Sequence, residues 1–554
     1  MKRQPTARSL TRRRFLALSG LGSALYVLNG CATSGQPTPT QQPKQAPTSP
    51  PVPSVAASAP TSQPTQAAAA PTKAAGPKSG GTFTLAQALS IQTFNPLQIV
   101  PANFAHMRAL HSTLVRYDEQ LSPQPDLAEK WTLAADGKSI SLNLRRGVKF
   151  HTGREFTAED VRYTLQYAQS NEVVTMRSLF RTVKALETPD PYTVVLQFAN
   201  ANPGVFDLLD MLFIIDKETF GDGAKPPAGT GPFKAGKYVP NDSVEFDAFK
   251  DYWDKGKPYA SRYVIRQVPD LSTMVINLES GAVDCVFQPN FLDIARLKKS
   301  GKFVADLGAP GTGIFELAIN TKVKPLDNRK VRQAIAWCID RKRFCTTTLQ
   351  GLVEPSCLMW PSNSWAYFKD LEGKIGYDLD KARALLKEAG AEAGFETEIM
   401  TSSKNFGFGE LAQIIQADLK KVNISAKIVD LEQAQFQSRI QSRDVVMTIH
   451  SYGRANRDPG SLVTGAVAWY STREGTFTNF ESATYDQLRN DLTSSTDLEK
   501  RKVTARKIQE LALDECFVNP VASNQRAFAY AGYVKNFHCT QDNSPYVGDI
   551  WLDK

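Results

Sequence analysis

HSYGRANRDPG, residues 450–460, packs a histidine, a tyrosine, two arginines, an asparagine and an aspartate beside a proline and two glycines. Arg454 and Asn456 are hydrogen-bond donors, and a guanidinium can hold a carboxylate or phosphate by two parallel bonds. Tyr452 adds a flat aromatic face. Asp458 is either a counter-charge for a cation or the cap of the turn at Pro459. Trp360, Trp469 and Tyr470, with Trp365, sit in irregular stretches containing Gly, Pro or Ser. They would offer ring faces to a sugar, an apolar side chain or a cation, or else fill a core. All of this is recognition chemistry. For bond-making chemistry the chain has no GxSxG elbow and no HExxH, and nothing singles out a catalytic pair among 56 acids. His106 and His111 are five residues apart, off one helical face. The six cysteines after residue 79 form no CxxC, so neither a metal centre nor another cofactor is expected.

The elements around these residues mix strands and helices. Ile140, Leu142 and Leu144 alternate with polar neighbours, as do Val194, Leu196 and Phe198, so both stretches predict half-buried strands. GVKFHTGREFTAEDV, residues 147–161, reads as a strand, a turn at Thr152-Gly153 and a helix capped by Thr157 with Asp160 at its third position. His151 and its basic neighbours therefore serve backbone geometry. Asp327 can cap NRKVRQAIAWCI, and Asp380 can cap KARALLKEA, which Gly390 is placed to stop. Leu411, Ile414, Ile415 and Leu419 predict an amphipathic helix, and Ile424, Ala426 and Ile428 a strand. Residues 445–449 read as a short buried strand. Residues 451–460 then become a loop at its carboxyl end, where open α/β sheets bind ligands.

The first 79 residues follow other rules. In TRRRFLALSGLGSALYVLNGC, residues 11–31, Arg12 and Arg13 precede an apolar stretch of about 14 residues, short of the ~20 a membrane helix needs. The paired arginines resemble a twin-arginine export signal, with the general secretory route as the alternative. Residues 28–31 resemble a lipobox, so Cys31 is the expected lipidation site and first mature residue. Residues 32–79 carry 11 of the chain's 33 prolines and no acid or aromatic residue, a composition that cannot bury a core. As a tether its reach is ~40 Å coiled and up to ~150 Å as polyproline. These 79 residues hold nine Lys or Arg and no Asp or Glu, which leaves 56 basic and 56 acidic residues in the remaining 475. That formal neutrality argues against nucleic acid as a partner. Cys285, Cys338, Cys345, Cys357, Cys516 and Cys539 could pair outside the cell or remain small core residues; spacing does not decide.

Five stretches carry a resemblance: residues 127–161, beginning LAEKWTLAADGKSISLNL; GTGPF, residues 229–233; residues 251–284, beginning DYWDKGKPYA; residues 317–344, LAINTKVKPLDNRKVRQAIAWCIDRKRF; and YDLDKARALLKEAG, residues 377–390. In this order they resemble the family 5 extracellular solute-binding proteins of ABC importers, the group of oligopeptide-, dipeptide- and nickel-binding proteins. The resemblance implies an α/β, two-lobed type II periplasmic-binding fold with an extra α/β domain. Lobe one would comprise 80–115, 227–315 and 523–554, the extra domain 116–226, and lobe two 316–522. Solute would sit between hinged lobes and pass to separate permease and ATPase subunits. The receptor would be a monomer held at the membrane by its lipid.

The resemblance also bears on the solute. In dipeptide- and oligopeptide-binding relatives, a loop aligned on Asp458-Pro459 carries an aromatic residue, here Tyr452, and three positions later an aspartate that pairs with the peptide α-ammonium. This chain has Ala455 there. Removing one partner of a buried charged pair costs ~2–5 kcal/mol, and each 1.4 kcal/mol is a factor of ten in affinity. The usual dipeptide mode is therefore not expected, unless Asp458 compensates. Asn95, in a Phe-Asn-Pro stretch similar to a family loop at the cleft, is a further candidate ligand residue. An oligosaccharide, an opine or a metal chelate would equally suit the family. So would a role as a ligand sensor without a permease.

Overall fold

The computed structural model describes residues 76–554, apart from 119, 120, 222, 404, 454, 456, 470–474 and 542. The expected lipidation site Cys31, the tether, and the candidates Arg454, Asn456 and Tyr470 lie outside the described residues.

Three larger sheets organise the chain. The first has seven strands in the order Phe303–Leu307, Ala527–Ala531, Cys285–Phe287, Thr82–Gln87, Arg262–Gln267, Ser243–Ala248 and Phe233–Val239. Its centre is parallel: Thr82–Gln87 pairs with Arg262–Gln267 on one side and Cys285–Phe287 on the other. The second has five strands in the order Ile424–Asp430, Phe395–Thr401, Met447–Gly453, Gly313–Ile319 and Val518–Ser523. Gly313–Ile319 is buried along its whole length, as a strand covered on both faces must be. The third sheet is four-stranded and antiparallel, Ala128–Leu133, Ser139–Leu144, Thr193–Phe198 and Val183–Asp190. There the expected alternation holds: Ile140, Leu142 and Leu144 point inward, as do Val194, Leu196 and Phe198.

The helix Ala158–Ser170 begins with the expected capping box of Thr157 and Asp160. Two other starts differ from expectation. Asn328, not Asp327, caps Arg329–Trp337 by accepting from Lys330 N at 2.9 Å. Asp378, not Asp380, caps Leu379–Glu388 by accepting from the Asp380 and Lys381 amides. In both places two cap-competent residues stand close together, and composition alone does not choose between them. All six described cysteines are free thiols, five of them buried.

The chain crosses between the seven-stranded and five-stranded sheets twice, through residues 308–312 and 524–526. The two crossings are bonded together: Gly308 N donates to Arg526 O at 2.7 Å, Asn524 N to Gly313 O at 2.8 Å, and Gly311 N to Ser523 Oγ at 2.8 Å. Paired crossings of this kind form a two-stranded joint between the sheets that flank them.

Candidate functional site

A cavity of about 600 Å³ opens at this joint. Thr312, Gly313 and residues 524–527 line its floor; Leu271, Gln288 and Phe291 line one wall, and Asn405, Gln437 and His450 the other. Across the cavity, Phe291 of one wall stacks on Phe406 of the other, with ring centroids 5.2 Å apart and planes inclined by 7°. Among the described residues the lining is aromatic and rich in carboxamides, with Arg526 and His450 as its basic residues and no acid. Arg526 holds its guanidinium 4.5 Å from the Phe104 ring centroid.

His450 reaches the wall because the strand Met447–Gly453 runs four residues beyond Ile449, where the apolar run was expected to end. Antiparallel pairing with Gly313–Ile319 extends from Ile319↔Met447 to Gly313↔Gly453, so His450, Ser451 and Tyr452 are strand residues rather than loop residues. The same register sets Glu316 directly opposite His450, and directly opposed side chains on one face of a pair meet. Glu316 is completely buried, with no hydrogen bond to either carboxylate oxygen, and Oε1 lies 3.6 Å from His450 Nδ1. Burial pushes the Glu316 carboxyl above its ordinary pKa; His450 and, more weakly, the indole of Trp469 offset part of that shift. The His450 ring lies among Phe436, Tyr452 and Phe477, with centroids at 6.5, 6.5 and 5.7 Å.

The remaining candidates are placed differently. Trp469 is 1% exposed and packs edge-on against Phe517 beneath the sheet, so it offers no face to the cavity. Trp360 is fully buried, and its indole N–H donates to Pro459 O at 3.3 Å; it borders a separate hollow of about 280 Å³. Asn95 is buried, and its amide is used internally, donating to Tyr167 Oη and accepting from Leu97 N, each at 3.0 Å. These three side chains serve packing. Tyr452 is half-buried beside His450. Ala455, at the position the resemblance gives to an aspartate, is fully buried.

Asp458 and its neighbour Arg457 belong to a clamp that sequence reasoning missed. Asp458 caps the helix Pro459–Gly465, accepting from Gly460 N at 2.9 Å, and meets Arg501 Nη2 at 2.5 Å. Its own N–H donates to Asp207 Oδ2 at 3.2 Å, and Ser461 Oγ donates to the same carboxylate. Asp207 also accepts from Tyr117 Oη at 2.8 Å. One turn along the helix Val205–Met211, Asp210 pairs with Arg457 and, at 2.8 Å, with Arg108. Burial alone would raise the Asp210 carboxyl, but its two arginines hold it below the ordinary range. Asp207 goes the other way, raised by burial with the nearby Asp458 adding to it. The clamp fastens a loop following the five-stranded sheet to a helix following the four-stranded one. The spacing DLLD, residues 207–210, was its visible signal, since positions three apart share a helix face.

The comparisons with known proteins agree with this architecture. A sequence profile of bacterial extracellular solute-binding proteins, family 5 (middle region), matches residues 122–472, well over half of the chain. The Heme-binding protein A of Haemophilus influenzae is 28% identical over 480 residues, covering 80% of this chain and 87% of that one. The Dipeptide-binding protein of Escherichia coli is 29% identical over 384 residues, covering 63% and 71%. Among solved structures, HbpA2 from Haemophilus parasuis superposes with a TM-score of 0.74 at 25% identity, covering 85% of this chain and all of that one.

Proposed function

Because the chain belongs to the bacterial extracellular solute-binding proteins of family 5, we propose that it is the lipid-anchored receptor of an ABC importer, capturing a solute in its inter-lobe cleft for delivery to a membrane permease. The family is one of transport binding proteins, so the chain is a binding protein and not an enzyme. The observation that carries the reading is the 600 Å³ cavity at the paired crossings. A solute that touches both walls has more contacts when they approach, so it shifts the population toward the closed form. In this reading residues 80–115, 227–315 and 523–554 form lobe one, 116–226 the added domain and 316–522 lobe two. The closed monomer is what the permease recognises, and ATP is hydrolysed on a separate subunit. A lipid on Cys31 and the tether after it keep the receptor near that permease. Palmitate labelling of the wild type, absent from Cys31→Ala, checks the anchor.

The names of its relatives bring heme and dipeptides to this chain as solute classes. The cavity argues against a dipeptide held by its ammonium. A buried cation needs a counter-charge, yet the described lining holds no acid and Ala455 stands at the expected aspartate. Isothermal titration with dipeptides and their N-acetylated forms tests this. The expected result is no preference for the free ammonium; tight binding of the free form alone would overturn it. Mass spectrometry of whatever co-purifies with the full chain identifies the solute directly.

A further inference from the structure

We propose that Glu316 and His450 form a proton-binding dyad in the cavity wall, which makes the receptor select a solute bearing a carboxylate and take that solute up together with one proton. This rests on the receptor reading of the cavity. The two residues are cross-strand partners, Nδ1 faces a carboxylate that has no hydrogen bond, and the rest of the ring lines the cavity. Proton counting gives the consequence. With no added proton, Nδ1–H points at the Glu316 carboxylate and Nε2 is left as an acceptor. With one proton added, the pair is either imidazolium and carboxylate, or a carboxylic acid facing Nδ1 of a neutral ring. Nε2 carries hydrogen in both forms. A single proton thus converts the dyad's outward nitrogen from acceptor to donor, and a donor favours a carboxylate.

The surroundings agree in sign. The helix Gln433–Ser442 brings Phe436 and Gln437 against this wall, residues 469 and 477 bring Trp469 and Phe477, and the strand's own neighbour is Tyr452. The floor adds the cation Arg526, and no described acid lines the cavity to repel an anion. Glu316 itself is sealed behind the ring.

The full chain labelled with ¹⁵N at its five histidines reports the dyad without any transport solute, so its outcome is separable from the receptor reading. Expected is a His450 signal that shows hydrogen on Nε2 after proton uptake and none before it, a change that Glu316→Gln alters. Acetate, the carboxylate probe, should shift that signal saturably, while acetamide and ammonium should not. Acetate affinity should weaken about tenfold per pH unit above the midpoint, the slope of one linked proton. His450→Gln, verified as folded by circular dichroism, should lose the saturable acetate binding that isothermal titration detects in the wild type. A His450 signal in Glu316→Gln that follows the wild-type signal unchanged through the same pH series would overturn the dyad. An equal response to acetamide, or a pH-independent response to acetate, would overturn the carboxylate assignment.

Discussion

Glu316 is the residue that least fits a purely structural account. A carboxyl group sealed in a strand with no hydrogen-bond partner costs stability whenever it is charged. Its folded-state pKa is raised, chiefly by burial. The folded protein therefore holds this proton more tightly than the unfolded chain does. The stability this brings is present at acid pH, below the ordinary glutamate range, and is lost as pH rises through the raised value. Glu316→Gln removes the charge and should be more stable than the wild type at pH 8, with the gap closing toward pH 4. Thermal unfolding at the two pH values measures it, and a variant less stable at pH 8 would contradict the account. Sequence showed His450 inside a polar run but could not show Glu316. The carboxylate lies 134 positions earlier in an apolar strand, and only the strand register brings the two together. Trp360 and Trp469 failed for a related reason: an aromatic in an irregular stretch reads the same whether its loop faces a cleft or folds back over the core.

At the scale of elements, local signals were legible and long-range ones were not. The capping box at Thr157 and Asp160 and the period-two strands of the four-stranded sheet depend on residues within a few positions of each other. The strand end at Gly453 depends on a partner strand more than a hundred residues away, and the clamp joins positions about 250 apart. Residues 450–460 therefore divide between two tasks: the strand end through Gly453 lines the cavity, and Arg457 and Asp458 beyond it fasten two elements together. Arg457→Ala leaves Asp210 buried with Arg108 alone. Removing one partner of such a pair costs about 2–5 kcal/mol, with the low end expected because Arg108 stays. In the proposed receptor cycle the loss falls on the closed form if the clamp releases on opening. Small-angle scattering of the solute-free variant should show a larger radius of gyration than the wild type, and an unchanged radius would mean that the clamp does not hold the lobes. The opening should not be reproduced in wild type by 0.5 M salt, because buried pairs are weakly screened.

For the whole molecule the question is whether closure is one motion. Two contacts far apart in sequence join elements that belong to different sheets: the Arg457–Asp210 clamp and, across the cavity, the Phe291–Phe406 stack. They share no residue. The joint between the walls is the pair of crossings, which is tightly built. A Cβ added at Gly308 would lie 1.7 Å from Oδ1 of Asn543, itself fully buried. Gly308→Ala should therefore destabilise the protein by about 1–3 kcal/mol, readable as a lower thermal midpoint. If the walls turn as rigid bodies about this joint, opening breaks clamp and stack together, and each contributes independently to one open–closed equilibrium. An aromatic pair adds about 0.5–1.5 kcal/mol, so Phe406→Ala should lower the closed-to-open ratio roughly 2- to 12-fold. Combined with Arg457→Ala, the two changes in closure free energy should add, as they do for sites without common partners. Single-molecule energy transfer between labels on the two lobes reads those ratios directly. Additivity, with only two transfer states present, is what one hinged motion requires. A third state in Arg457→Ala, released at the clamp while the Phe pair stays stacked, would instead mean that the added domain detaches by itself and that the cleft opens in stages.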